Sequence, residues 1–230
     1  MTPDILHAVL AARTAGRAIV LATRLADGFQ LILPESDAPQ PVLDAAALAL
    51  ARDESAAVEL GGEAWFMQVH APAYRLIVVG AVHIAQALVP LAAALGYAVT
   101  VVDPRRSFNS PERFPGVIRA GAWPDEALDD LKPDARTAIV TLTHDPKLDD
   151  PALDRALRSH AFFIGSLGSR RTHAQRLERL AALGHGPATL ARIRGPVGLA
   201  IGAISAPEIA LSIVAEIVAV RRGAALATRH

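Results

Sequence analysis

Residues Leu76–Asp103, LIVVGAVHIAQALVPLAAALGYAVTVVD, read as strand, glycine turn, helix and second strand ending in an acid. That is the outline of a dinucleotide-binding βαβ unit, whose fingerprint is G-x-G-x-x-G. The three fingerprint positions hold Gly80, Val82 and Ala85. Ala85 suits the third, which only has to let helix and strand pack closely. Val82 does not suit the second, where glycine lets backbone amides approach a pyrophosphate. The stretch therefore decides the fold while weakening the dinucleotide reading, and NAD(P) is not the expected cofactor.

Outward from it, AVTVV, GVIRA, AIVTLT and FFIGSL are short aliphatic runs mostly without polar alternation, as in parallel strands buried on both faces. Helices are expected between them at His83–Leu95, where Pro90 should kink or shorten the helix, then at Asp125–Leu131, Pro151–Ser159 and Arg170–Leu183. Asp150 and Pro151 look like N-cap and first residue of the third. The last helix, Ala206–Arg222, has an apolar stripe (Ile209, Ile213, Ile217, Val220) and a sparse polar one (Glu208, Ser212, Glu216). It should be buried on most sides, in the core or at a homodimer interface. The fold class is α/β: a Rossmann-like, doubly wound, mostly parallel sheet over residues 73–230.

Residues 1–72 differ. An amphipathic start precedes AIVLATRL, the turn Asp27-Gly28 and FQLILP; then come a helix from Pro41 and a second hairpin at Gly61-Gly62. This is a small α+β module, with Ala71-Pro72-Ala73 as linker.

Of the 230 residues, 52% are apolar and only 4% aromatic, so aliphatic packing carries the interior. Lys plus Arg equal Asp plus Glu at 23 each, so no global field points to nucleic acid or membrane. The N-terminus has no secretory pattern and no run is long enough to span a bilayer, so a cytoplasmic protein is expected. Cysteine is absent. That excludes a thiol nucleophile, a Cys-ligated metal and a persulfide carried on this chain. The eight histidines show no metal-ligand spacing.

Candidate site residues cluster at expected carboxyl ends of strands, where ligands of such folds lie. Gly80 with His83 opens the first helix, as a phosphate turn or simply a tight one. Asp103 is placed for a ribose hydroxyl and Arg105 for a phosphate, although Asp-Pro also opens ordinary turns. Thr143, His144 and Asp145 follow a strand, as proton-handling groups or as a self-bonded turn. The strongest constellation is Gly165-Ser166-Leu167-Gly168-Ser169-Arg170-Arg171. Amides, hydroxyls and two guanidinium forks make an anion cradle, and arginines at a helix N-terminus oppose its dipole, so stability alone does not explain them. Ser169 also suits a plain N-cap.

LIVVGAVHIAQAL…VTVVDPR, SFNSPERFPG, TLTHDPKLDDPAL, FFIGSLGSRRTHAQRLERL and GPVGLAIGAISAPEIALSIVAEIVAVRRG occur in that order. Together they resemble the XdhC/CoxI family, accessory proteins of molybdenum hydroxylases, over roughly Tyr74–Gly223. The resemblance implies a Rossmann-like carboxyl-terminal domain that binds molybdenum cofactor, aids its sulfuration with a cysteine desulfurase and delivers it to xanthine dehydrogenase or a related enzyme. It implies a chaperone rather than a catalyst. The cofactor's phosphate would suit the Ser166–Arg171 cradle. Departures from the family are Val82 and Ala85 where members read like GAGHVG, and Ala200 and Ile204 where members read like GLDIGAR. Residues 1–72 also lack the family's cysteine-containing motif. Two other readings stand beside it: a ligand-free interaction module, and an NAD(P)-dependent oxidoreductase, which lacks any recognisable hydride-transfer constellation here.

Overall fold

The computed structural model describes residues 2–225, and the chain divides into two units, Met1–Pro72 and Ala73–His230, the last five residues lying outside the described range.

In the first unit the order is α1 (Pro3–Thr14), β1 (Ile19–Arg24), β2 (Gln30–Leu33), α2 (Gln40–Arg52), β3 (Ala56–Leu60) and β4 (Glu63–His70). The strands form an antiparallel sheet in the order β2-β1-β4-β3. Side chains alternate across a strand, so β1 feeds two cores. Val20 and Ala22 pack with Val42 and Ala46 of α2, while Ile19 and Leu21 pack with Val9 and Ala12 of α1. That two-sided burial explains why β1 begins as an unbroken apolar run. Gly28 and the pair Gly61-Gly62 take positive φ in the two hairpins, where residues with a Cβ would be strained.

The second unit contains β5 (Arg75–Val79), α3 (His83–Ala94), β6 (Ala98–Val102), β7 (Ile118–Ala120), α4 (Pro124–Leu131), β8 (Thr137–Thr141), α5 (Pro146–Arg158), β9 (Phe163–Ser166), α6 (Arg170–Ala182), α7 (Pro187–Leu190), β10 (Ile193–Arg194) and α8 (Ala206–Arg221). All six strands pair in parallel, in the order β10-β9-β8-β5-β6-β7. On one face Leu76, Val78, Val101 and Val140 pack on α3 and α8. On the other, Ile77, Val79, Ile139 and Ile164 pack on α4, α5 and α6. Each fully buried aliphatic side chain of this kind contributes about 1.5–3 kcal/mol. Strand order reverses between β5 and β8, which makes the crevice beyond their carboxyl ends the expected ligand position.

One local expectation is revised. α5 begins at Pro146, five residues before the expected start, because Asp145 Oδ1 accepts the Lys147 N–H and Pro146 fills the first turn. Pro151 then sits inside the helix, losing one backbone bond while Leu148, Ala152 and Leu153 keep its apolar face buried. α3 likewise continues through Pro90 to Ala94. The short α7 and β10 carry too few residues for a periodic signal. The apolar stripe of α8 is core, since Ile213 and Ile217 are buried with Leu88 and Ala92 of α3.

Candidate functional site

The turn after β5 is shaped by Gly80, with φ of 105°. A Cβ there would lie 2.5 Å from Thr143 Cγ2, so glycine lets the loops after β5 and β8 meet at the switch point. The next amide, Ala81 N–H, donates to Asp103 Oδ2 at 2.8 Å. Asp103 also receives the backbone N–H and Nε of Arg105 on Oδ1, both at 2.9 Å, and its Nη2 on Oδ2 at 2.7 Å. At 1% exposure the carboxylate is enclosed by donors of its own chain. Burial alone would raise its pKa, but the Arg105 and Ala81 bonds outweigh that and hold it below the ordinary aspartate value. The acid at the ribose position thus braces the turn and aims Arg105, whose guanidinium lies 4.4 Å from the Phe108 ring centre.

Arg105 lines a cleft of about 580 Å³ with Val82, His83, Thr143, His144 and Asp145. His83 and His144 are exposed, and His83 Nδ1 lies 3.2 Å from Gln86 Oε1. Val82 stands in the wall where the fingerprint would have glycine. α3 has neither a side-chain cap nor an acid in its first turn, and the Asp103 carboxylate on the neighbouring Ala81 amide is itself paired with Arg105.

The turn after β9 is only partly as expected. Ser166 is completely buried, and its hydroxyl pairs with Thr141 Oγ1 at 2.6 Å across the sheet, so the side chain faces inward and not toward a ligand. Gly165 lies against Phe163 and Val197, where a Cβ would not fit. Ser169 is the N-cap of α6, accepting the Thr172 N–H at 3.1 Å. Arg170 and Gly168 line a second, open groove of about 1490 Å³ beside the loop Gly195–Ala203. Arg171 is exposed and lines neither cavity. Leu167 lines both, so cleft and groove meet at one residue.

The groove wall is held from below. Glu216, 1% exposed, accepts the Gly198 N–H at 2.6 Å and lies 3.5 Å from Arg194 Nη1. A Cβ at Gly198 would run into Ser212 Oγ. The sparse polar stripe of α8 therefore clamps this loop, and Glu208 closes a capping box with Ser205.

Two buried charges escaped the sequence reading, Asp149 on α5 and Arg176 on α6, each 2% exposed. Their signal was positional: Asp149 shares a helix face with Leu153 and Ala156, and Arg176 shares one with Leu180. Among the described residues, no group of three or more His, Asp and Glu is placed to hold a metal ion, and no helix is long and apolar enough to cross a membrane.

Comparison with known proteins follows the same outline. The profile of the XdhC Rossmann domain matches residues 76–217. Among curated proteins, the chain is 35% identical over 150 residues to the molybdenum cofactor insertion chaperone PaoD of Escherichia coli, covering 65% of this chain and 41% of that protein. It is 34% identical over 162 residues to a probable xanthine dehydrogenase subunit of Bacillus subtilis, covering 70% and 47%. It is 35% identical over 169 residues to the uncharacterized protein YqeB of Escherichia coli, covering 71% and 30%. The chain thus spans less than half the length of these relatives. A crystal structure described as a xanthine dehydrogenase from Bacillus halodurans superposes with a TM-score of 0.74 at 23% identity, over 96% of this chain and 67% of that one, and shares its fold. On the match to residues 76–217, which spans most of the second unit, the chain belongs to the XdhC family.

Proposed function

We propose that this protein is an accessory factor that binds molybdenum cofactor and assists its maturation in, or insertion into, a xanthine dehydrogenase-type molybdenum hydroxylase. The observation that carries the reading is the meeting of cleft and groove at Leu167, with Arg105 on one side and Arg170 on the other. Neither α3 nor α6 has an acid in its first turn, which suits an anionic ligand at both helix ends. The cofactor is a phosphorylated pterin, and the residues present fit such a group. Gly168, Ser169 and Arg170 would hold the phosphate; Arg105, His83, Thr143, His144 and Asp145 would meet polar ring groups. A cleft of about 580 Å³ lies within the usual small-ligand range of about 300–1,000 Å³. The similarity to PaoD supports the insertion role. A cysteine desulfurase as second partner and a homodimeric state belong to the same reading. Having no cysteine, the chain would rely on the desulfurase for sulfur.

A direct test mixes an apo-hydroxylase with released cofactor, with and without this chain. Faster recovery of hydroxylase activity in its presence is expected, and equal recovery would count against the reading.

A second reading, a ligand-free interaction module, draws on exposed apolar side chains: Ile201 at 51%, Ile204 at 87% and Leu211 at 51%. Co-purification with a hydroxylase in the absence of pterin would favour it.

A further inference from the structure

A buried polar chain runs beneath the carboxyl edge of the parallel sheet. Thr143 Oγ1 donates to Asp149 Oδ1 at 2.6 Å. Asp149 Oδ2 lies 3.6 Å from Arg176 Nη2, and the same nitrogen donates to the Leu167 carbonyl at 2.9 Å. Thr143 lines the cleft, Leu167 lines both cavities, and Gly168 lines the groove. Thr143 is also the residue against which Gly80 packs. One ion pair on α5 and α6 therefore reaches the loops after β8 and β9 and, through Thr143, the glycine turn after β5.

As a stabilising device the pair is poor. Removing two charges from water costs several kcal/mol per ion, about as much as a well-formed pair returns. Arg176 Nε and Nη1 are buried without a hydrogen-bond partner, a cost of about 1–3 kcal/mol each. Leu153 on α5 and Leu180 on α6, one turn further along each helix, belong to the aliphatic core, and two apolar side chains of similar volume in place of a buried pair are often neutral or stabilising. Departures of this kind gather where geometry is held for function.

We propose that the Asp149–Arg176 pair is a positioning device that fixes the loops Thr143–Asp145 and Leu167–Ser169 in one relative geometry, so that the groups on both sides of Leu167 act on a single anionic ligand. Neither side chain touches that ligand; both act through Thr143 and Leu167. The ligand's identity rests on the cofactor reading above, whereas the bracing does not. Burial pushes the Asp149 carboxyl up to about 7, against the Thr143 bond and the Arg176 charge, with neighbouring Asp150 adding to the rise. From facing elements, Arg105 and Arg179 also feel its charge. His173, beside Arg176, is held below its ordinary value by burial and by that guanidinium, which favours its neutral form. The Thr143 bond and the Arg176 charge both favour the carboxylate, so the brace tightens as Asp149 ionises, although burial makes the same ionisation cost the fold stability.

The test compares the full chain with the double variant Asp149→Leu/Arg176→Met and with Arg176→Lys. Thermal melting, amide hydrogen exchange of the two loops in the ligand-free protein, and affinity for molybdopterin released from a molybdoenzyme are measured. The double variant should melt at or above the parent temperature, while its loop amides lose protection by about tenfold, equivalent to about 1.4 kcal/mol of local stability. Molybdopterin affinity should fall by a similar factor, and Arg176→Lys should recover part of both. Loop protection in the parent, corrected for intrinsic exchange, should rise between about pH 6 and 8, the window around the shifted carboxyl, and stay flat in the double variant. Unchanged protection in a folded double variant would overturn the proposal, as would loss that merely tracks global unfolding. If the double variant does not fold, Arg176→Lys decides by the same exchange readout. A parent that binds no molybdopterin would sink the cofactor reading and leave the exchange result to judge the brace.

Discussion

The amide of Ala81 donates to the carboxylate of Asp103 at 2.8 Å, so the acid ending β6 closes the glycine turn after β5. The two hallmarks of a dinucleotide site, a turn amide for phosphate and an acid for ribose, are here joined to each other. That pairing gives a physical reason for a βαβ unit that keeps Gly80 while tolerating Val82.

Replacing Asp103 by Asn removes a buried charge that receives four donors, and should cost about 2 kcal/mol at pH 7. Because the folded carboxyl lies below its ordinary value, its contribution is full above about pH 4 and fades as pH falls through the folded pKa. Urea unfolding of parent and variant should therefore diverge at pH 7 and converge in acid.

Gly80→Ala places a methyl against Thr143 at a positive φ. The expected loss is about 1–3 kcal/mol, with the Thr143–Asp145 loop displaced. A thermal melt together with the histidine NMR signal of His144 checks both.

Most of the fold was legible because its strands are buried on both faces and so read as aliphatic runs. The site was legible in outline only. Gly80, His144 and Arg170 follow the carboxyl ends of β5, β8 and β9, as their sequence positions imply, but Ser166 faces Thr141, and Asp145 caps α5. Which way a side chain points at a strand's last residue depends on register, and register is a tertiary property. Asp149 and Arg176 were missed for a related reason: each shows only as one charge in an apolar stripe, and only the packing of α5 on α6 pairs them.

Asp149 gives stability an unusual sign. Its folded pKa, about 7, lies above the ordinary 3.8, so the folded state binds the extra proton between those values. Stability from this group is full below about pH 4 and declines as pH rises to 7, opposite to Asp103. Asp149→Asn should remove that decline, and denaturant midpoints across pH 4–8 measure it.

Glu216→Ala leaves the Gly198 amide and Arg194 without their buried acceptor. Arg194 is half-exposed and can be solvated, so the cost is mainly that of the buried Gly198 donor losing its acceptor, about 1–3 kcal/mol. Amides of Gly198–Ala203 should exchange faster while those of β5 and β8 keep their protection relative to global unfolding.

Molybdenum cofactor is proposed to sit where cleft and groove meet. The most direct measurement is fluorescent oxidised pterin released from the chain after expression with cofactor biosynthesis intact, in parent, Arg170→Ala and Arg171→Ala proteins. The account predicts pterin on the parent, retention by Arg171→Ala, whose side chain lines neither cavity, and a loss of about tenfold or more in Arg170→Ala, the effect of one charge-assisted contact. No pterin on a folded parent, or equal pterin on all three, would contradict it.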